Sequence, residues 1–377
     1  MALLKDGMKL VFILMISKYV CSINDTLGFG RERSLLNLLI GNGSWYEATL
    51  YPNGYKDAAF LHKILDCRDT EKLIKLLTSR TVYERQDIVL YYNRRFAQPI
   101  SYYIKDMQPL VLRLMLTKLL RNTSELRAED ISNSLISYDI ISVARTLIPL
   151  RNSELTNVRK VYEQHSFTDL SHDIESVSQG NVQRLLLCLV KAERDNITVD
   201  VKKNGERYSW LPFMNATLAK LEAHAIHKAL KSKRRNEQAV LSDIFCKRTP
   251  YQLNMTSVYY EMIYKTSLEA DIKATIKVTT FRRILLDLLY YAVKRLDFFA
   301  YLLRKTLFNN DVNHEALQIL FITRSDIDLR GIGKAYNKLY NSSLVKDLKK
   351  KSYGCYRKIL LSLLRGNYHP KNKLRIK

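Results

Sequence analysis

Apolar residues recur along this chain at spacings of three and four, in short runs separated by polar breaks. One run places Leu61, Ile64 and Leu65 at this spacing, and the same spacing returns at residues 73–77. Such spacing puts the apolar side chains on one side of a helix. No sustained apolar–polar alternation with a period of two occurs, which argues against strands. The pattern predicts an all-α fold built from short helices.

Four arginines that each close an apolar run indicate an internal fourfold repeat. They lie at intervals of 71, 97 and 76 residues, namely Arg80, Arg151, Arg248 and Arg324. A second arginine follows each after 33 or 34 residues, namely Arg113, Arg184, Arg282 and Arg357. Self-similarity of this kind is typical of repeat architectures, which work through surfaces more often than through catalytic pockets. We therefore predict four repeats of about five helices, and a generic helical solenoid is the alternative fold.

The repeats divide the chain as follows. Repeat I spans 56–122, repeat II 127–193, repeat III 213–293 and repeat IV 297–366. A non-periodic linker at 194–212 separates repeats II and III, a glycine-containing leader covers 23–55, and a basic tail covers 367–377. Residues 1–22 read as a signal peptide, because an apolar run at 10–16 follows Lys9 and precedes small residues at 20–22. The chain is then secreted; without a functional signal it would be cytoplasmic and membrane-associated.

The chain carries a formal net charge of +24, which bears on its partners rather than on its fold. Anionic lipid surfaces, nucleic acids and acidic polymers all fit that charge. Nucleic acid is the least favoured partner, because aromatic residues do not interleave with the basic runs. No phosphate-binding glycine loop, nucleophile elbow or Cys–His dyad occurs, so we predict that the protein is not an enzyme.

The cysteines and the glycosylation sequons bear on the cellular compartment. Beyond residue 22, the four cysteines Cys67, Cys188, Cys246 and Cys355 are widely spaced. This spacing predicts separate thiols, about one per repeat, rather than a disulfide framework or a metal knuckle. Seven Asn-x-Ser/Thr sequons favour secretion, at Asn24, Asn42, Asn122, Asn196, Asn215, Asn254 and Asn341.

The repeats resemble those of the annexin family over about residues 56–366. Repeat IV carries the closest match, with Ile-Thr-Arg-Ser-Asp-Ile-Asp-Leu at 322–329 and Gly-Cys-Tyr-Arg-Lys-Ile-Leu-Leu at 354–361. Glu84, Gln252 and Asp328 match the family's acidic or amide residue four places after the arginine, and Leu155 departs from it. The resemblance implies a curved disc of four five-helix repeats that binds phospholipid membranes.

The calcium loops depart from the family. Annexins bind calcium at Lys-Gly-x-Gly-Thr before the second helix of a repeat, with a distant carboxylate completing the site. Counted back from each arginine, the two glycine places hold Leu65 and Cys67, Ile136 and Tyr138, Lys233 and Arg235, and Asn309 and Asp311. The carboxylate place holds Asp106, Val177, Thr275 and Lys351. Asp106 is the only retained family-type carboxylate. We expect no cofactor, with calcium implied by the resemblance alone and its sites degenerate.

Basic residues occupy two of the loop regions that the resemblance assigns to membrane contact. They are Lys231, Lys233, Arg234 and Arg235 in repeat III, and Lys349, Lys350 and Lys351 in repeat IV. Basic residues beside an anionic membrane each contribute about 1 kcal/mol. The sequence therefore predicts peripheral, calcium-independent binding to anionic phospholipid membranes through these loops. The alternative is a secreted annexin-like scaffold or effector that binds protein partners and no lipid.

Overall fold

The computed structural model describes residues 53–195, 214–232, 238–309 and 311–366. The predicted signal peptide, most of the leader, most of the linker and the basic tail fall outside these ranges, as do Lys233, Arg234 and Arg235. Within the described ranges every regular element is an α-helix, so the predicted all-α fold is confirmed.

The described helices number twenty and fall into four successive sets of five. Repeat I contains α1 (Gly54–Asp66), α2 (Thr70–Thr78), α3 (Val82–Arg95), α4 (Ile100–Ile104) and α5 (Leu110–Leu119). Repeat II contains α6 (Thr123–Ile136), α7 (Ile140–Leu147), α8 (Asn152–Ser166), α9 (Leu170–Val177) and α10 (Gly180–Val190). Repeat III contains α11 (Ala216–Lys231), α12 (Ala239–Lys247), α13 (Pro250–Tyr264), α14 (Leu268–Thr275) and α15 (Thr279–Val293). Repeat IV contains α16 (Arg295–Phe308), α17 (His314–Arg324), α18 (Leu329–Tyr340), α19 (Leu344–Lys351) and α20 (Gly354–Arg365).

Capping residues determine where many of these helices begin. The backbone N–H of Glu84 donates to the Thr81 hydroxyl at 3.2 Å, and the backbone N–H of Thr81 donates to the Glu84 carboxylate at 2.9 Å. This reciprocal capping box satisfies two donors that the first turn of α3 leaves open. Asn122 and Asn215 cap α6 and α11, and Asn254 is buried. The asparagines of three sequons therefore cap a helix or lie buried in the fold.

The repeats pack against one another in two pairs, and one apolar cluster runs through all four. Repeats II and III meet where α10 packs on α12 and α7 on α15. In that seam Arg145 Nε donates to the buried Asp287 carboxylate at 2.8 Å. Repeats I and IV meet where α2 packs on α20 and α5 on α17. This pairing decides which loops of different repeats lie beside each other.

A disulfide joins repeats II and III. Cys188 of α10 and Cys246 of α12 are bonded, with 5.9 Å between their Cα atoms and 58 residues between them in sequence. Cys67 and Cys355 are free thiols. The prediction of separate thiols is therefore wrong for Cys188 and Cys246, because the packing of α10 on α12 leaves no trace in linear spacing.

The turn before the third helix differs between repeats I and II by one residue. Arg80 precedes Thr81, the N-cap of α3, whereas Arg151 is itself the N-cap of α8. The offset puts Glu154, rather than Leu155, in the place of Glu84, and the Glu154 carboxylate accepts from the backbone N–H of Arg151 at 3.0 Å. The predicted departure at Leu155 is therefore wrong, since the acid is present one residue earlier.

Candidate functional site

Two loops of each repeat carry the predicted membrane-contact residues. We call the connection between the first and second helices the first loop, and that between the fourth and fifth helices the fourth loop. In repeat IV, Lys351 at the end of α19 lies with its Nζ 5.1 Å from the ring centroid of Phe308, the last residue of α16. In repeat I, the rings of His62 near the end of α1 and Tyr103 of α4 meet edge to face, with their centroids 6.5 Å apart. The first and fourth loops of these repeats therefore lie side by side.

A tyrosine–aspartate pair anchors the fourth helix in three repeats. The hydroxyls of Tyr162, Tyr260 and Tyr336 donate to Asp173, Asp271 and Asp347 at 2.7, 2.6 and 2.8 Å. Each pair spans 11 residues, a regular spacing that the sequence contains and that the apolar pattern does not reveal. Burial first, and then the hydrogen bond to Asp347, raise the pKa of Tyr336 to about 12, although its bond to Arg304 acts the other way. The pairs fix the register of the residues that follow the aspartate.

Lys349, Lys350 and Lys351 extend from this anchor in repeat IV. Lys349 and Lys350 are exposed, and no carboxylate in the described chain pairs with either. The only acid on α19 is Asp347, which is buried and bonded to Arg304 at 3.2 Å. The structure thus presents two free ammonium groups and one that lies partly against Phe308.

Lys231 occupies the corresponding end of repeat III. It is the last residue of α11 and is exposed. Burial and then the positive charge of Lys231 lower the pKa of His227, one turn earlier on the same helix. The predicted companions Lys233, Arg234 and Arg235 lie outside the described residues. Lys231 thus lies at the start of the first loop of repeat III, and the lysines of α19 lie at the start of the fourth loop of repeat IV.

Asp106 lies in the fourth loop of repeat I and is exposed. Tyr103 follows Tyr92 by the same 11 residues that separate each anchoring pair. Counted from Tyr103, Met107 is level with Val177, Thr275 and Lys351, and Asp106 comes one residue earlier. No group of three or more His, Cys, Asp or Glu side chains placed to hold a metal occurs within the ranges that the structure describes. Asp106 is exposed and belongs to no such group.

The first loops of repeats I and II each contain a residue in the left-handed backbone region that favours glycine, although neither residue is a glycine. Arg68 and Tyr138 adopt φ values of 52° and 56°. Non-glycine residues enter this left-handed region at a cost of roughly 1–2 kcal/mol. The left-handed residue thus lies one position after Cys67, the glycine place counted in repeat I, and at Tyr138, the glycine place counted in repeat II.

Exposed apolar side chains accompany the basic residues on these loops, and they were not predicted from the sequence. They are Leu110 in repeat I, Ile136 and Tyr138 in repeat II, Val278 in repeat III and Tyr353 in repeat IV. Tyr138 is 76% exposed. Contiguous apolar surface marks sites that bind partners or membranes, whereas single exposed apolar residues, such as Phe167 elsewhere in the fold, are ordinary. Their positions directly beside predicted helix ends could have identified these exposed apolar residues from the sequence.

None of the helices in the described residues is both long enough and apolar enough to cross a bilayer.

Comparisons with known proteins agree with this architecture. A family model described as Annexin matches residues 222–288 and 298–363. Annexin B22 of Schistosoma mansoni is 29% identical over 365 residues, covering 91% of this chain and 98% of that protein. Human Annexin A1 is 25% identical over 323 residues, covering 84% and 89%.

Solved structures give the same result for the fold. Calcium-bound annexin (Sm)1 is similar with a TM-score of 0.73 and 28% identity, covering 82% of this chain and 90% of that one. Annexin III is similar with a TM-score of 0.72 and 23% identity, covering 84% and 96%. The resemblance predicted from the sequence is confirmed: this chain belongs to the annexin family.

Proposed function

We propose that this protein binds the surface of anionic phospholipid membranes through basic residues on its loops, without requiring calcium. Annexins are in general non-enzymatic, calcium-dependent phospholipid-binding proteins, and membership supports membrane binding and a non-enzymatic role. The observation that carries the calcium-independent part is the run of lysines at the end of α19, of which Lys351 holds the place where the family supplies a carboxylate.

Charge supports this proposal over a calcium bridge in repeat IV. A lysine at a carboxylate place repels a divalent cation and attracts a lipid phosphate. Each basic residue close to an anionic bilayer contributes about 1 kcal/mol, and the attraction falls off within a Debye length of roughly 8–10 Å at physiological salt. Binding by Lys349, Lys350 and Lys351 should therefore weaken as salt rises. The exposed Tyr353 beside them would add apolar contact with the bilayer interface.

Co-sedimentation with phosphatidylserine vesicles tests the proposal, with calcium or with chelator, at low and at physiological salt. We expect pelleting in chelator that decreases with salt. The triple variant Lys349→Gln, Lys350→Gln, Lys351→Gln should lose affinity by on the order of 100-fold at low salt, since three contributions of about 1 kcal/mol are removed.

A matched variant controls for net charge. Lys56→Gln, Lys75→Gln and Lys160→Gln remove the same charge from exposed helix positions away from the loops, and should change pelleting little. Equal losses in both triple variants would overturn the assignment to α19. Pelleting that occurs only when calcium is present would refute calcium independence. Absence of pelleting under every condition would favour the secreted scaffold that binds protein partners.

A further inference from the structure

A cleft of about 600 Å³ opens between repeats II and III, beside the fourth loop of repeat III. Ile141 of α7 and Leu286 of α15 line its apolar part. Its polar lining comes from Lys273 of α14 and from Thr279, Thr280, Arg282 and Arg283 of α15. The cleft thus has basic and hydroxyl groups and no acid in its lining, and its volume is in the range of small-molecule sites.

The cations of the cleft exceed the carboxylates that could neutralise them. Arg282 Nη1 donates to the backbone carbonyl of Ile276 at 3.0 Å, and no described carboxylate pairs with this arginine. Arg283 Nε lies 3.2 Å from Asp287, but that carboxylate is already bonded to Arg145 at 2.8 Å. Two guanidinium groups therefore share one buried acid. Lys273 pairs with Glu269 at 2.5 Å on the exposed face of α14, outside the cleft lining.

The electropositive character extends into the seam behind the cleft. Burial first, and then the positive charge of Arg145, lower the pKa of Lys305; Arg283 acts in the same direction, while Asp139 and Asp287 oppose it. An anion entering the cleft would relieve the repulsion between these cations.

Uncharged donors complete the set. Thr279 and Thr280 are the first two residues of α15, and neither hydroxyl bonds to a described protein group. The N-cap residue Val278 has no side chain that can accept a hydrogen bond, so the first-turn N–H groups of this 15-residue helix have no side-chain cap. Open N–H groups at a helix start favour anions, and phosphate above all.

The other repeats do not reproduce this combination. The two residues that start the fifth helix are Leu110 and Val111 in repeat I, Gly180 and Asn181 in repeat II, and Gly354 and Cys355 in repeat IV. Lys273 has a counterpart in Lys349, since each lies two residues after the anchoring aspartate. An alignment of α14 with α19 in the sequence could have revealed that these two lysines are equivalent.

We propose that this cleft binds a phosphomonoester group on a ligand about the size of a phosphorylated inositol headgroup. Guanidinium forks and threonine hydroxyls match the geometry of a phosphate with several acceptor oxygens. The chemistry has two sources, a phosphoinositide in a bilayer or a soluble inositol phosphate. The lipid source rests on the proposed membrane function, because the cleft opens between the first loop of repeat II and the fourth loop of repeat III.

The soluble arm of the test uses no membrane. Isothermal titration of the full chain with inositol 1,4,5-trisphosphate at low salt should show binding at one site. Lys273→Gln and Thr280→Val should each weaken it by roughly 5–10-fold, since each removes a polar contact. Glu269→Gln should tighten it about 2–3-fold, because it frees Lys273 from its ion pair, an effect that a purely structural role for Lys273 would not produce.

Lys75→Gln is the matched control for net charge and should leave the affinity unchanged. No heat of binding in the wild-type chain would overturn the proposal. So would equal losses in Lys273→Gln and Lys75→Gln, because binding would then follow net charge rather than the cleft.

The membrane arm compares vesicles that carry phosphatidylinositol 4,5-bisphosphate with vesicles that carry phosphatidylserine at equal charge. The double variant Lys273→Gln, Thr280→Val should lose the preference for the phosphoinositide and keep binding to phosphatidylserine. The α19 triple variant should do the reverse. Trisphosphate binding without phosphoinositide recruitment would support the cleft and reject the lipid source, whereas phosphatidylserine binding without trisphosphate binding would reject the cleft alone.

Discussion

Repeats I and II each have an ion pair that ties the start of the third helix to the first helix, but the acid and the base exchange places between the two repeats. In repeat I, Arg80 before the third helix donates to Asp57 of the first helix, with Nε–Oδ2 and Nη2–Oδ1 distances of 2.6 and 3.1 Å. In repeat II, the arginine lies on the first helix, and Arg127 Nη1 donates to Glu154 at the start of the third helix at 3.0 Å. The fold thus requires an ion pair that ties these two helices together, and either helix can supply the cation.

A second exchange concerns a guanidinium that binds helix-end carbonyls. In repeat I, Arg85 of α3 is fully buried and donates to the carbonyls of Leu119 at 2.8 Å and Leu77 at 3.1 Å. In repeat II, Leu155 occupies that helix position, and Arg194 after α10 donates to the carbonyls of Ile148 at 2.8 Å and Leu150 at 3.3 Å. The function of the side chain is retained although its place in the sequence moves by about 40 residues.

The acids of the two ion pairs differ in burial. We therefore expect their removal to lower the free energy of unfolding by different amounts. The side chains of Asp57 and Arg80 are 1% and 6% exposed. In repeat II Arg127 is 8% exposed but Glu154 is 36% exposed, so water reaches that pair from the side of the acid. Removal of one partner of a buried pair leaves an uncompensated charge away from water, and the same change near the surface lets water take its place.

The largest expected effect is the loss of the buried acid in repeat I. Asp57→Asn should reduce the free energy of unfolding by about 3–5 kcal/mol, because the buried Arg80 loses its carboxylate partner. Glu154→Gln, the matched change in repeat II, should cost about 1 kcal/mol. Urea denaturation of both variants measures the difference.

The double variant Asp57→Asn, Arg80→Met serves as the control for this prediction. It should be more stable than Asp57→Asn alone, since it removes the buried cation that has lost its carboxylate. Equal costs for Asp57→Asn and Glu154→Gln would contradict the proposed asymmetry between the repeats.

The next effect concerns the relocated guanidinium. Arg85→Met should cost about 3 kcal/mol, because buried carbonyls of two helices lose a partner and each such loss costs about 1–3 kcal/mol. Arg194→Met should cost a similar amount, about 2–3 kcal/mol, because the carbonyls that it leaves belong to Ile148 and Leu150, which are as buried as those around Arg85. Thermal unfolding of both, with the exposed Arg94→Met as the control, gives the comparison.

A rescue experiment sharpens that comparison. Leu155→Arg places a guanidinium in repeat II at the helix position that Arg85 holds in repeat I. Added to Arg194→Met, it should recover part of the lost stability if the carbonyls accept a donor from either place. A further loss would mean that the core around Leu155 cannot accept the larger side chain, and would limit the equivalence of the two repeats.

These exchanges explain how much the sequence could predict. The fourfold repeat and the all-α fold follow from apolar periodicity and from recurring arginines, and both are confirmed. The count from Arg80 to Arg151 gives 71 residues, whereas the N-caps Asp69 and Asp139 lie 70 apart. A pattern match cannot detect this single-residue offset, so it assigns Leu155 a place that Glu154 holds.

The candidate site shows the same division. The lysines of α19 are contiguous and were readable as a basic loop, and the structure leaves Lys349 and Lys350 exposed. The cleft instead combines Ile141 with residues more than 130 positions later, and the disulfide joins Cys188 to Cys246. Both depend on the packing of repeat II against repeat III, which local patterns do not encode.

The smallest expected effect lies at a further difference between the first helices. Repeat II carries Asp130 where repeat I, at the 70-residue offset, carries the apolar Phe60. Burial raises the pKa of Asp130 to about 6, although a hydrogen bond from Thr146 at 2.5 Å lowers it in part. Because the folded pKa lies above the unfolded value of about 3.9, the group's stabilising contribution is complete below pH 4 and is lost as pH rises through 6.

Replacement of that acid by its neutral amide should therefore stabilise the protein at neutral pH. Asp130→Asn keeps an acceptor for Thr146 and removes the charge, so the variant should gain about 1 kcal/mol at pH 7.5 and nothing near pH 4. Thermal unfolding from pH 4 to 8 measures this slope, with the exposed Glu175→Gln as a control that should show none. A gain that does not depend on pH would mean that packing rather than ionisation distinguishes this position from Phe60.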